Sequence, residues 1–265
     1  MKFACCTWAL AGPEQSILDQ LAQLGFAWID IRAIDFTADK SRDLIAAYHM
    51  QLSCVGLSFA LPPGTSLDSD DQAVRAAAIV GATNGLRHAA HLGADTTYII
   101  PGLDTSPPAL ARYADAITTL ADQAATLGIK LCIEHFPGRA LPTVAATLAY
   151  LQGINHPNLY LLFDIGHAQI AKEEPVAALH ATGDRLGYVH LDDNDGQGDL
   201  HWALLDGVLT RIRLHDTLRA LTKLQYKGGV SLELSPQLPD PHAAIQRSWQ
   251  ILLEIQKRIG DPVGL

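Results

Sequence analysis

The chain of 265 residues is 48% hydrophobic and 18% charged, and its net charge is −9. Such a length suits one α/β barrel with a large core, whereas the acidic balance argues against tracking a nucleic acid backbone, which is bound by cationic neutralisation. No apolar run reaches the length of a membrane span.

In chain order, residues 2–6 form the first strand-like run, and the apolar stretch from Phe3 to Leu10 reads as that strand rather than as a secretory signal. Gly12-Pro13 opens a helix over 14–24 whose Ile17, Leu18, Leu21 and Leu24 share one stripe. Leu24-Gly25 closes it before a strand over 27–32, and the phrase returns as Leu92-Gly93 before 96–101 and as Leu127-Gly128 before 130–134. Glycine at these points can take the left-handed conformation that ends helices. Runs at 52–57, 159–164, 186–191 and 230–234 bring the strands to eight, and helices are expected near 40–50, 70–92, 109–127, 143–152, 175–181, 214–224 and 241–258. The strands are continuous apolar runs, as parallel strands covered by helices should be. Eight βα units predict an α/β fold, a closed (β/α)8 TIM barrel spanning 1–265 as a single domain. An open doubly wound sheet is disfavoured, because Cys6-Thr7-Trp8-Ala9-Leu10 after the first strand lacks a glycine-rich phosphate fingerprint. Cys5, Cys6, Cys54 and Cys132 all lie in the strand-like runs without chelating spacing, so buried reduced thiols and a cytoplasmic location are expected.

Strands five to eight each end in a metal-type ligand: Glu134, Asp164, His190 and Glu233. The carboxyl ends of barrel strands meet at the mouth, where catalytic groups are mounted. Two glutamates, an aspartate and an imidazole make an oxygen-rich set suited to one divalent ion, Mn2+ first, with Mg2+, Co2+ and Zn2+ as alternatives. His167, three residues after Asp164, is placed to face the same mouth, whereas His135 beside Glu134 should point away and pack. The polar segment from Asp192 through Asp199-Leu200-His201 reads as a lid or binding loop. Within it Asp199 and His201 contact substrate, hold a second metal or orient a first ligand. Trp8, Phe59 and Trp202 are candidates for an apolar wall against a substrate face and equally for core packing. Arg139 is the loop cation best placed for an anionic substrate group, with a solvated charge as the plainer reading. The remaining histidines, on helices and turns, read as surface groups.

An ion with four protein ligands keeps room for two substrate oxygens. A carbonyl and its neighbouring hydroxyl held there would acidify the C–H between them and lead through an enediolate. Glu134 and Glu233 then form the proton-transfer pair, and the outcome is epimerisation or aldose–ketose isomerisation. No P-loop, CxxC or Ser-His-Asp order competes with this reading.

At Ile133-Glu134-His135, Phe163-Asp164-Ile165-Gly166-His167, Val189-His190-Leu191-Asp192-Asp193-Asn194-Asp195-Gly196 and Leu232-Glu233 the chain resembles the xylose-isomerase-like TIM barrels of sugar and sugar-phosphate metabolism. The likeness is to their ketose 3-epimerase, hydroxypyruvate isomerase and inosose dehydratase branches. It implies a metal held by Glu134, Asp164, His190 and Glu233, the two glutamates as acid and base, and His167 on the substrate. It also implies a small carbohydrate partner and, by analogy, a homo-oligomer, with neither nucleic acid nor membrane involved. Two positions depart from it: Gly196-Gln197-Gly198 stands where 3-epimerases carry an arginine, and Pro101-Gly102 where relatives often carry a histidine. Dehydration of a keto-polyol through the same enolate is the alternative. Asp199-Leu200-His201 echoes the apurinic endonucleases of the superfamily, but Ser58-Phe59-Ala60 and Pro101-Gly102 replace their further histidines. A non-catalytic sugar-binding barrel is the remaining alternative.

Overall fold

A computed structural model of the chain describes residues 1–260. Eight strands pair in parallel, each with its neighbours in sequence: β1 (Lys2–Cys6), β2 (Trp28–Arg32), β3 (Gln51–Gly56), β4 (Thr96–Ile99), β5 (Lys130–Glu134), β6 (Leu159–Asp164), β7 (Leu186–Leu191) and β8 (Gly229–Leu232). The ring closes where β1 pairs with β8, Ala4 opposite Ser231 and Cys5 opposite Leu232. Around it lie α1 (Glu14–Leu24), α2 (Ser41–Ala47), α3 (Gln72–Leu92), α4 (Pro107–Thr126), α5 (Val144–Ile154), α6 (Ile165–Ile170), α7 (Pro175–Thr182), α8 (Arg211–Lys223) and α9 (Pro241–Gly260). The expected closed barrel is therefore what the chain forms. The Leu-Gly punctuation acts as read, with Gly25 at φ 90°, Gly93 at φ 85° and Gly128 at φ 71°.

Two differences from the expected elements bear on function. β8 stops at Leu232, so Glu233 sits one residue beyond the strand. The short α6, which has no apolar stripe to announce it, begins directly after Asp164, whose carboxylate accepts from the His167 backbone N–H at 2.7 Å. That cap turns the chain sharply enough to return His167 toward the strand end it has just left.

The pleat of the strands separates two environments. Residues such as Ile133, Phe163, Val189 and Leu232 join the large apolar core shared with the helices. Their alternates, Cys54, Tyr98, Cys132, Leu162 and Tyr188, form a second, smaller cluster inside the ring. Below the mouth this interior is partly polar, with Asp30, Ser53 and Ser231 each at most 1% exposed. The Tyr188 hydroxyl donates to Asp30 Oδ1 at 2.6 Å and lies 2.6 Å from Ser53 Oγ.

The Tyr188 ring fits only because Gly229 has no side chain: a Cβ there would collide with Tyr188 Cε2 and Ser53 Oγ. Gly229→Ala is expected to lower unfolding free energy by about 1–3 kcal/mol, the usual range for overpacking. Urea denaturation read by circular dichroism checks this, and an unchanged midpoint would mean that the interior yields easily.

Candidate active site

The pleat also explains why the four strand-end ligands converge. Glu134, Asp164, His190 and Glu233 each follow an interior position, Cys132, Leu162, Tyr188 and Ser231, by two residues, and so face inward one layer higher. Neighbouring registers align them, Glu134 with Leu162, Asp164 with His190, and His190 with Ser231. Their ligand atoms all lie within 4.8 Å of one another. From His190 Nδ1 the separations are 2.6 Å to Glu233 Oε2, 3.4 Å to Glu134 Oε1 and 4.0 Å to Asp164 Oδ2. Around an ion bound at about 2.1 Å, two ligands stand about 3 Å apart when adjacent and about 4.2 Å when opposite, so the cluster has the size of a coordination sphere.

Burial supports the same assignment. Exposure is 3% for Glu134, 8% for Glu233 and 0% for Asp164 and His190. Glu134 Oε1, Asp164 Oδ2 and both His190 ring nitrogens have no hydrogen-bond partner. Unpaired polar atoms at such depth are costly, and a divalent cation would satisfy three of these four at once. Burial pushes the Glu134 and Asp164 carboxyls above their ordinary range. Burial acts on Glu233 in the same sense, but His190, His201 and His167 outweigh it and hold Glu233 at about 2. Burial opposes charge on His190, yet Glu233, Asp30 and Glu134 keep it far above its usual value. In the cation-free protein a proton on His190 thus supplies the positive charge that the carboxylates require.

A second tier surrounds this centre. As expected, His135 points away from it: Nε2 accepts from the Asp164 backbone N–H at 3.1 Å, and burial pushes the ring down to about 3. His167 donates from Nδ1 to the His135 carbonyl at 2.9 Å and presents Nε2 to Asp199 Oδ1 at 3.3 Å. His201 stands between Asp192 Oδ2 at 2.9 Å and Asp199 Oδ1 at 3.3 Å. Burial disfavours both imidazolium ions, but Asp164 and then Asp199 lift His167 to about 10, and Asp192 and Asp199 lift His201 to about 12. Asp192 is raised to about 8, first by burial and then by the charge of Asp164. The loop that carries His201 is tied down. Asp193 pairs with Trp202 through two backbone hydrogen bonds, and its carboxylate accepts from Gly207 N and Leu209 N at 2.7 and 2.9 Å.

The centre opens into a cavity of about 280 Å3. Phe59, Tyr98, Ile100 and Phe136 make its walls, and Glu134, Glu233, His167 and His201 its polar end. Two of the residues singled out in the sequence stand behind these walls. Trp8 packs on Phe59 at 5.9 Å between ring centres and borders a separate cavity. Arg139 lies over Phe136, with Cζ 5.0 Å from the ring centre, and donates to the Pro101 carbonyl at 3.2 Å. It lines a neighbouring cavity of about 260 Å3 that shares Ser58 and Ile100 with the first. Sequence reasoning did not single out Asp30, Ser58, Tyr98, Phe136 or Asp192. Asp30 had a signal, a carboxylate in the middle of the apolar run Trp28-Ile29-Asp30-Ile31; Tyr98 and Phe136 had none, since an inward aromatic reads like any core residue.

Two outcomes are expected. Titrating chelator-treated protein with Mn2+ in weak buffer should release protons, with apparent affinity rising with pH, because ion binding must displace the His190 proton. In chelator, the melting temperature should fall between about pH 7 and pH 9: histidines with raised pKa stabilise fully only below their unfolded value of about 6.5 and lose that contribution as pH rises toward the folded one. The raised carboxyls act in the same sense. Glu233, held low, stabilises throughout that window and loses its contribution only in acid. Calorimetry with and without Mn2+ checks the trend, which the ion should reverse.

A sequence profile described as the xylose isomerase-like TIM barrel matches residues 18–255. The L-ribulose 3-epimerase of Methylomonas sp. is 26% identical over 260 residues, covering 88% of this chain and 82% of that protein. The inosose dehydratase of Geobacillus kaustophilus is 31% identical over 156 residues, 50% of each chain. A crystal structure of D-allulose 3-epimerase from Methylomonas sp. superposes with a TM-score of 0.82 at 21% identity, over 96% of this chain and 98% of that one, which shows a shared fold. The chain belongs to the xylose isomerase-like TIM barrel family.

Proposed function

We propose that the protein is a divalent-metal-dependent epimerase of a free ketose, acting by proton transfer at the carbon beside a carbonyl. The observation that carries this reading is the buried Glu134–Asp164–His190–Glu233 cluster opening into an apolar-walled cavity. The match to a ketose epimerase over most of both chains supports it. A divalent ion on these four residues, Mn2+ by preference, would supply the Lewis acidity that lowers the barrier to breaking that C–H bond.

The protein's own groups account for the rest. Glu134 ends β5 and Glu233 follows β8, with β6 and β7 between them. One carboxylate takes the proton from one face of the substrate carbon while the other returns one to the opposite face, which inverts the centre. His167 and His201 stand at the polar end, where a substrate hydroxyl would displace Asp199 Oδ1 from the 3.3 Å contacts it makes with both Nε2 atoms and accept a hydrogen bond there. Phe59 and Phe136 exclude water and pack against the sugar's C–H faces. No lysine or arginine lines this cavity among the described residues. A sugar phosphate would need such a partner there, so an unphosphorylated substrate fits better. The four unpaired buried cysteines suit the cytoplasm.

One observation favours dehydration as a second reading. His167 and His201 line the cavity beside Glu134 and Glu233, where an imidazolium would protonate a departing hydroxyl, and the inosose dehydratase match includes half of this chain. Incubation with ketopentoses, ketohexoses and an inosose in D2O with Mn2+ separates the two. The 3-epimer carrying one solvent deuterium is expected; a dehydrated product would establish the second reading, and no exchange on any sugar by the metal-loaded protein would end both. Glu134→Gln and Glu233→Gln should each slow exchange by about 10²–10⁴-fold, the usual contribution of a positioned acid or base.

A further inference from the structure

On the reading that Glu134, Asp164, His190 and Glu233 hold a divalent ion, we propose that Asp30 is the positioning residue for the His190 ligand: a buried carboxylate that fixes the imidazole with Nε2–H inward and Nδ1 toward the ion. Asp30 comes from β2, on another part of the ring, and is 0% exposed in the barrel interior. Its Oδ2 lies 3.7 Å from His190 Nε2, while His190 Nδ1 faces Glu134, Asp164 and Glu233. Among the described residues Asp30 is the one carboxylate within 4.0 Å of Nε2, which has no hydrogen-bond partner. The flanking rings, Tyr98 at 5.2 Å and Tyr188 at 5.6 Å between centres, stand edge-on to the imidazole and offer Nε2 no acceptor.

A carboxylate at that depth needs donors. Tyr188 supplies one to Oδ1 at 2.6 Å, and the Cys6 thiol points at Oδ2 from 3.8 Å. Neither gives Oδ2 a strong bond, and His190 Nε2–H is the charge-matched donor nearby. At 3.7 Å the pair is longer than a hydrogen bond, so the proposal requires the two groups to draw together when the ion binds. Metal-bound histidines generally donate their other N–H to a carboxylate, carbonyl or water, and losing that partner usually weakens the metal by about 10–100-fold. Cys6, Asp30 and His190 are also close enough to hold an ion by themselves. Nε2 cannot serve both that ion and the hydrogen bond, so the proposal requires one ion per chain.

The test is Mn2+ affinity, measured by chelator competition and by the electron paramagnetic resonance signal of free Mn2+. Asp30→Ala should bind about 10–100-fold more weakly than wild type, and Asp30→Asn, which keeps an acceptor, should lose less. Ser53→Ala, which removes the hydroxyl beside Tyr188 while leaving Asp30 and His190 in place, should lower the melting temperature and leave Mn2+ affinity alone. Should Asp30→Ala fail to fold, 15N resonances of the His190 ring in Zn2+-loaded wild type read the arrangement directly, with the proton expected on Nε2. Equal affinity in Asp30→Ala and wild type, a proton on Nδ1, or a second ion lost in Cys6→Ser would each overturn the proposal while leaving the metal reading intact. A wild type that binds no divalent ion would overturn both.

Discussion

Everything at the mouth of this barrel follows from an imbalance of charge. Three carboxylates and one imidazole share a space in which every pair of ligand atoms is within 4.8 Å, and none is more than 8% exposed. Buried like charges at that spacing repel strongly, since little solvent screens them. A protein can protonate such a cluster or place a cation in it. The cation-free molecule takes the first course, with raised Glu134 and Asp164 and a charged His190. A divalent ion would remove the need for those protons and leave the carboxylates ionised.

The barrel makes this concentration of charge tolerable by separating it from the rest. The apolar core between strands and helices is continuous, while the polar groups are confined to the inside of the ring and its upper rim. Period-two alternation does the sorting. The same alternation made the site legible before any coordinates: apolar runs ending in Glu134, Asp164 and His190 could be recognised as strands delivering side chains to one end of a parallel ring. Glu233 was legible too, although β8 stops one residue short of it, because its backbone N–H still bonds to the Leu191 carbonyl at 3.1 Å.

What could not be read depends on contacts between segments distant in sequence. α6 is a single short helix formed because Asp164 caps it, and a carboxylate that is also a candidate ligand gives no helical periodicity to detect. Phe136 and Tyr98 become cavity walls only once β4 and β5 curve around the mouth. The placement of Trp8 and Arg139 behind Phe59 and Phe136 depends on which ring of each pair turns inward, a matter of packing that spacing does not encode. Asp192 was hidden differently: in Asp192-Asp193-Asn194-Asp195 all four look like solvated loop residues, yet the first three are 0% exposed.

The same division into strand and loop separates the fixed part of the site from the part free to vary. Glu134, Asp164 and His190 lie on strands held by ladders on both sides, and Glu233 is bonded to one, so their mutual geometry changes little if loops vary. His201 and Asp199 belong to a segment organised by Asp193 and Asn194 rather than by the barrel, with Asn194 Nδ2 donating to the Gly166 carbonyl at 3.0 Å. Gly166 in turn sits so close to Asp192 that a side chain there would displace it. Changing that loop would move His201 and Asp199 without disturbing the cluster of Glu134, Asp164, His190 and Glu233. On the proposed reading, the strand-end residues would set which bond is weakened, and the loop after β7, which carries Asp199 and His201, is the part free to vary around them.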